Sequence, residues 1–303
     1  MKGLYQRSEH MEGRNQSRVS EFILLGLSDQ PEQQRLLFFL FLLMYLISGL
    51  GNLLIMLAIS SDPHLHTPMY FFLSNLSLVD LCFTSTTVPK MLNNYISQNR
   101  TISYAGCLTQ VFFFLWFAGM DSVLLTTMAY DRYVAICASL HYSTVMTPKI
   151  CALLVGVSWF WAYNNALIHT VFPLLKLACS DTFINDLMIY TVGALTIILP
   201  FIGIMISYVH IFMAVLKISS VSGKQKVFST CGSHLTVVCL FYGTIIGVYF
   251  SPTSTHTAQQ DTAATVMYTV VTPMLNPFIY SLRNKDMKGA LKMFLTRKPG
   301  FTL

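Results

Sequence analysis

The chain has 303 residues, of which 54% are hydrophobic and 11% charged, with a formal net charge of +6. Soluble globular domains carry about a quarter charged residues, so a water-facing surface cannot be built here and a soluble domain is excluded. Seven cysteines without CxxC spacing point to neither a metal site nor a dense disulfide scaffold.

Residues 1–35 are polar and hold no apolar core like that of a cleavable signal peptide. They read as an extracellular N-terminal tail, in which the sequon Asn15-Gln16-Ser17 marks Asn15 as a glycosylation site. Seven apolar blocks follow at 36–60, 68–88, 106–130, 150–170, 187–216, 227–250 and 263–282. Each is about the length a helix needs to cross ~30 Å of hydrocarbon at 1.5 Å per residue. The expected fold is an all-α membrane protein, a seven-transmembrane helix bundle. The second and seventh blocks carry Asn, Ser, Thr and Pro, which must face other helices or water because unpaired polar groups are costly in lipid. Residues 283–303 read as a cytoplasmic tail with an amphipathic helix.

Lys217, Lys224 and Lys226 lie between blocks five and six, and six basic residues follow block seven. This bias places those segments inside and the N-terminus outside, and the expected location is the plasma membrane. The positive balance then reads as attraction to inner-leaflet lipid, not as a nucleic-acid footprint.

Three of the thirteen acidic residues, Asp80, Asp121 and Asp131, fall in spans. A charge near a helix centre costs about 2.5 to 3.5 kcal/mol on insertion scales, so each asks for a partner or a function. Asp80 and Asp121 sit near mid-span on helices two and three. Two carboxylates in one dry pocket repel unless a cation or proton sits between them. The readings are a Na⁺ site, a shared proton, or two protonated acids bonded to Asn or Ser. Asp131 precedes Arg132 and Tyr133 at the inner end of helix three. The acid and guanidinium either pair in one state and part in another, or snorkel together at the interface.

The stretch Met128-Ala129-Tyr130-Asp131-Arg132-Tyr133-Val134-Ala135-Ile136-Cys137 resembles the signature of the olfactory receptors, a branch of the rhodopsin-like G-protein-coupled receptors. So do Gly51-Asn52, Pro68-Met69-Tyr70-Phe71-Phe72-Leu73-Ser74-Asn75 opening helix two, and Ser207-Tyr208 ending helix five. Lys226-Val227-Phe228-Ser229-Thr230-Cys231-Gly232-Ser233-His234 and Pro273-Met274-Leu275-Asn276-Pro277-Phe278-Ile279-Tyr280 complete an ordered set over about residues 22–295. The resemblance implies a rhodopsin-like bundle that binds odorants and activates a stimulatory G protein, raising cAMP. It implies an inactive-state pair of Asp131 and Arg132, towards which Tyr208 and Tyr280 would swing. Asn276-Pro277 would deform helix seven, since proline leaves a carbonyl unpaired. Lys224, Lys226 and His234 would lie where helix six opens a G-protein cleft, and Asp80 and Asp121 would match the sodium-pocket carboxylates.

The ligand pocket is read on helix three at Phe114, Leu115, Ala118, Gly119 and Ser122. Facing them are Val192 and Thr196 on helix five, Tyr242, Ile245 and Ile246 on helix six, and Thr269 on helix seven. An apolar pocket with a few hydroxyls suits a small, neutral, volatile compound. The related amine receptors hold a carboxylate where Phe114 stands, so a cationic ligand lacks its anchor. The alternative for each position is plain helix packing. Tyr242 would be the switch beneath the ligand, biasing helix six by population shift.

The chain departs from the resemblance between helices four and five, where about 20 residues of a long outer loop are missing, and with them the expected partners of Cys107 and Cys179. These two cysteines either pair with each other or stay free. A non-signalling remnant retained in the endoplasmic reticulum is therefore one alternative. A transporter or channel, which would want inverted repeats or charged pore linings, is another. No His, Cys or Ser has a matched base, so an enzyme is not expected.

Overall fold

The computed structural model describes residues 4–6, 21–24, 26–28, 30–97, 99–176, 183–249, 266–283 and 285–296. The bundle end that holds Pro31 is called outer below, and the end that holds Arg132 inner.

Helix α1 is Pro31–Ser61. Its first residue is preset by the proline ring and needs no hydrogen-bond donor there. Asp62 ends the helix in extended backbone, and its carboxylate accepts from the His64 amide at 3.0 Å. Helix α2, Pro68–Ser97, also starts on proline, whereas α3, Tyr104–Cys137, is capped by the Ser103 hydroxyl, which accepts from the Gly106 amide at 3.1 Å. Helix α4 is Pro148–Lys176, α5 Phe183–Lys217 and α6 Val221–Tyr249. A π-helical turn, Met267–Val271, runs into α7, Thr272–Arg283, and α8 is Lys285–Thr296.

Among the described residues, five helices, α1 to α5, are long and apolar enough to cross a membrane, and α6 contributes a shorter apolar stretch, Cys231–Gly247. Helix α3 sits centrally, packed on α2, α4, α5 and α6. Its fully buried Met120, Leu124, Leu125 and Met128 join Phe72, Leu76 and Phe83 of α2 in the core. Outward faces are apolar as well: Leu36, Phe39, Leu43, Leu46, Leu50, Leu53 and Leu57 form an exposed row along α1 at helical spacing. In water such a surface would aggregate, and against lipid tails it is matched.

The helices outrun the apolar blocks, because hydropathy marks only the hydrocarbon layer while backbone hydrogen bonding continues beyond it. Helix α2 extends to Ser97 rather than residue 88, and α6 begins at Val221 rather than 227. The inner loop between α5 and α6 shrinks to residues 218–220. Lys224 and Lys226 thus ride on the first turns of α6. In α8, Met287 and Ala290 are buried, while Lys288, Lys292 and Met293 are exposed, which gives the expected amphipathic helix.

The sequence reading did not anticipate a sheet. Strands β1 (Leu4–Gln6), β2 (Glu21–Leu24) and β3 (Thr101–Ser103) form an antiparallel sheet in that order, with Phe22 opposite Ile102. The tail is thereby tied to the first outer loop. The Leu24 amide donates to the Arg100 carbonyl at 2.8 Å, and Lys90 Nζ donates to the Thr101 carbonyl at 2.8 Å.

Candidate functional site

Prolines inside helices create one part of the site. Pro200 in α5 has no N–H for the Thr196 carbonyl four residues back, and the Ser122 hydroxyl of α3 donates to that carbonyl at 3.3 Å instead. Pro277 in α7 likewise strips the Pro273 carbonyl of its donor, and Asn52 Nδ2 of α1 donates to it at 3.3 Å. Gly51 makes this possible, since a Cβ there would lie 3.0 Å from the Pro277 ring. The Gly51-Asn52 motif therefore has a physical role in seating α1 against the proline of α7.

At the inner end, Arg132 Nε donates to Asp131 Oδ2 at 3.0 Å and Nη2 contacts the same oxygen. Asp131 is fully buried, and its other oxygen accepts from the Tyr142 hydroxyl at 2.7 Å. Tyr142 opens a one-turn helix, Tyr142–Val145, between α3 and α4. Burial, then the Asp131 charge and hydrogen bond, push its phenol above the ordinary value. A raised folded-state value means that this contribution is complete below the ordinary phenol titration near pH 10 and is lost only as pH rises beyond it.

Nearby, His234 Nε2 donates to the Leu125 carbonyl at 2.9 Å. A carbonyl only accepts, so Nδ1 carries no proton and accepts from the Tyr208 hydroxyl at 2.8 Å. One neutral imidazole thus ties α3, α5 and α6 together. Tyr133 stands edge-on to His210 at 5.5 Å, and Lys224 is half-buried on the first turn of α6. The Tyr280 hydroxyl is buried without a partner among the described residues.

At mid-bundle, Asn276 Nδ2 donates to Asp80 Oδ2 at 2.8 Å. Asp121, also buried, lies close enough to Asp80 for their carboxyl groups to interact electrostatically. Oδ1 of Asn52, Asp80, Asp121 and Asn276 is in each case buried and unpaired among the described residues. Oxygens of this kind suit a hard cation or protons rather than a soft metal. No group of three or more His, Cys, Asp or Glu side chains that could hold a metal occurs among the described residues.

In the outer half, the Ser122 and Tyr242 hydroxyls hydrogen-bond at 2.9 Å, linking α3 to α6, and the Thr196 hydroxyl donates to Asn165 Oδ1 at 2.9 Å. Phe114 packs on Phe83 and Tyr268 with ring centroids 5.2 and 6.2 Å apart, and Phe241 meets Tyr268 at 5.4 Å. Leu115 and Val192 are half-buried, Ala118 packs against the core, and Ile245 and Thr269 are buried.

Two pocket expectations need correction. Ile246 is 48% exposed, because adjacent helical residues point about 100° apart and its neighbour Ile245 takes the inward direction. Gly119 lines no space: a Cβ there would meet Ala162 Cβ at 3.3 Å and Thr196 Cγ2 at 3.8 Å, so it lets α3 approach α4 and α5. Cys107 is buried and forms no disulfide among the described residues. Its expected partner Cys179, the sequon at Asn15 and the side chain of Lys226 lie outside the described residues.

Sequence reasoning missed Asn165, Tyr142, Phe83 and Tyr268. Asn165 was findable as a polar residue inside an apolar block. Tyr142 carried no such signal, since its partner is reached through irregular backbone.

The family profile described as "7 transmembrane receptor (rhodopsin family)" matches residues 51–280. Olfactory receptor 1f45 of Rattus norvegicus and Olfactory receptor 1F1 of Homo sapiens are each 58% identical to this chain, over 95% of it and 98% of their own length. Olfactory receptor 7D4 of Homo sapiens is 55% identical over the same shares. The rat alignment spans 308 positions but takes up only 95% of 303 residues, so about 20 of its positions are gaps in this chain. With a helix bundle, an Asp-Arg pair at the inner end of α3 and this degree of identity, the chain belongs to the rhodopsin-family seven-transmembrane receptors, in the olfactory-receptor branch.

Proposed function

We propose that the chain binds small, neutral, volatile odorants in the outer half of the bundle and activates a heterotrimeric G protein of the stimulatory type, raising cAMP from the plasma membrane with its N-terminal tail outside. The observation that carries this reading is the inner lock, in which Arg132 is held by a fully buried Asp131 that Tyr142 also binds. A ligand packed against Phe114 and Tyr268 reaches the inner end through Tyr242, bonded to Ser122 of α3 and edge-on to Phe241 at 5.0 Å. A ligand that favours one packing of these rings shifts α6, because only differential contact between states moves an equilibrium. Outward movement of α6 would break the His234 bonds to Leu125 and Tyr208, and parting of Arg132 from Asp131 would free the guanidinium for the G protein.

Asp80 and Asp121, with Asn52 and Asn276, would hold a Na⁺ ion or a shared proton, which would neutralise the paired carboxylates in the locked state. The test of the function is cAMP in transfected cells exposed to a broad odorant panel, with surface labelling alongside. A ligand-dependent rise that Arg132→Ala abolishes at equal surface level supports the reading, and a flat response from a surface-expressed chain contradicts it.

A second reading, a non-signalling remnant, draws on Cys107, which forms no disulfide among the described residues, and on the roughly 20 positions by which this chain is shorter than the rat receptor in their alignment. Retention of a tagged chain inside the cell would favour it.

A further inference from the structure

We propose that Asn165 and His169 on α4, with Thr196 on α5, form a polar subsite that takes the oxygen-bearing group of a small neutral ligand, a carbonyl or hydroxyl. This rests on the odorant-receptor reading and names the chemistry that the site selects.

Asn165 is 6% exposed and Thr196 4%. The Thr196 hydroxyl has one proton, which it shares between Asn165 Oδ1 and the Val192 carbonyl, both at 2.9 Å. The carbonyl one turn back would satisfy that proton without help, so the hydroxyl has no need of an asparagine. Asn165 Nδ2, with two N–H donors, has no partner among the described residues. A half-paired amide in a membrane helix is a cost that packing alone does not explain.

His169 lies four residues further along α4, on the same face as Asn165. Its ring lies against Gly193 of α5, where a Cβ would stand 2.9 Å from Cε1 and 3.1 Å from Nε2. The missing side chain at residue 193 therefore makes room for the imidazole between the helices. The ring is half-buried and also has no hydrogen-bond partner among the described residues.

The subsite stands one turn outside the contact of Gly119 with Ala162, on the α4–α5 wall of the bundle. On α2 and α3 stand the rings Phe83 and Phe114, which carry no hydrogen-bond donor, with the Tyr268 ring of the π-helical turn packed against both. A ligand with an apolar body and one oxygen is oriented by this asymmetry, body against the rings and oxygen against Asn165 and His169. A site built to hydrogen-bond an oxygen rejects the hydrocarbon that lacks it, because its own polar groups are then left unpaired.

The test uses the full-length receptor in transfected cells, read by cAMP and surface labelling. The probes are hexane, octane and decane, each beside the matching aldehyde and alcohol. The variants are Asn165→Leu and Gly193→Ala; in the second, the added methyl displaces the His169 ring. The wild type is expected to prefer an oxygenated probe over its hydrocarbon by about tenfold or more, equivalent to 1.4 kcal/mol. Each variant that reaches the surface should lose most of that preference while keeping its response to the hydrocarbon, which a folding defect would not allow. Gly193→Ala carries the test if Asn165→Leu stays inside the cell. An unchanged preference in the variants overturns the subsite and leaves the receptor reading standing. Silence of a surface-expressed wild type to every probe overturns both.

Discussion

Around Asp131 and His234 at the inner end, and around Asp80 and Asp121 at mid-bundle, buried polar groups are handled in opposite ways, the orphan Tyr280 hydroxyl of the inner end aside. At the inner end, both Asp131 oxygens are engaged, by Arg132 and Tyr142, and both nitrogens of His234 are engaged, by Tyr208 and Leu125. At mid-bundle, Asp80, Asp121, Asn52 and Asn276 each leave an oxygen buried and unpaired. A saturated network is a lock, whose opening requires bonds to break together. An unsaturated one is a receptacle, stable only when something supplies the missing protons or charge. Under the proposed function, the same helices would hold one state shut at one level and take up a proton or cation at another.

The comparison can be broken most forcefully at His234. Replacing it by Phe leaves the Tyr208 hydroxyl buried without its partner, at about 1 to 3 kcal/mol, and strips the Leu125 carbonyl of the bond it accepts beyond its own helix. We expect the purified receptor to unfold several degrees lower, measured by thermal denaturation, with basal cAMP raised in cells. A smaller effect is expected at mid-bundle. Exchanging KCl for NaCl should raise the melting temperature of the wild type by mass action, in proportion to RT ln(1 + [Na⁺]/Kd). Asp121→Asn should abolish that difference; equal salt dependence in both proteins would reassign the carboxylates to protons. The smallest effect is expected at Tyr142→Phe, which deletes one hydroxyl while keeping the ring. A hydrogen bond to a charged group is worth about 1.5 to 3 kcal/mol, and Arg132 still holds Asp131, so basal cAMP should rise only a few-fold. In an Asp131→Asn background the same change should add nothing, because the bonded carboxylate is already gone.

Much of the mid-bundle and inner site was legible because intramembrane charge is scarce. Asp80, Asp121 and Asp131 stand out in the sequence by their cost alone, and α2 and α3 bring all three to buried positions. The helices themselves followed from apolar runs. What bounded them did not, since caps such as Ser103 and helical extensions such as 221–226 lie where hydropathy has already fallen. The outer site was read less well. Gly119 and Ile246 lie within a turn of the right positions, but rotation about the helix axis decides whether a residue faces a ligand, a neighbouring helix or lipid, and one residue is about 100°. The sheet of β1, β2 and β3 was out of reach, because strands of three and four residues are too short for an alternation to register. Pro277 and Asn52 show the remaining gap: both motifs were visible, but that one supplies the donor the other's carbonyl lacks needs their contact in space.

The lock at the inner end of α3 is tested most directly by basal cAMP in cells carrying Asp131→Asn alone and together with Arg132→Ala, at matched surface levels. The expected result is ligand-independent signalling in the single variant, as a freed Arg132 engages the G protein, and its disappearance in the double variant. Signalling unchanged by Asp131→Asn, or raised equally with Arg132 absent, would contradict a lock made of these two residues.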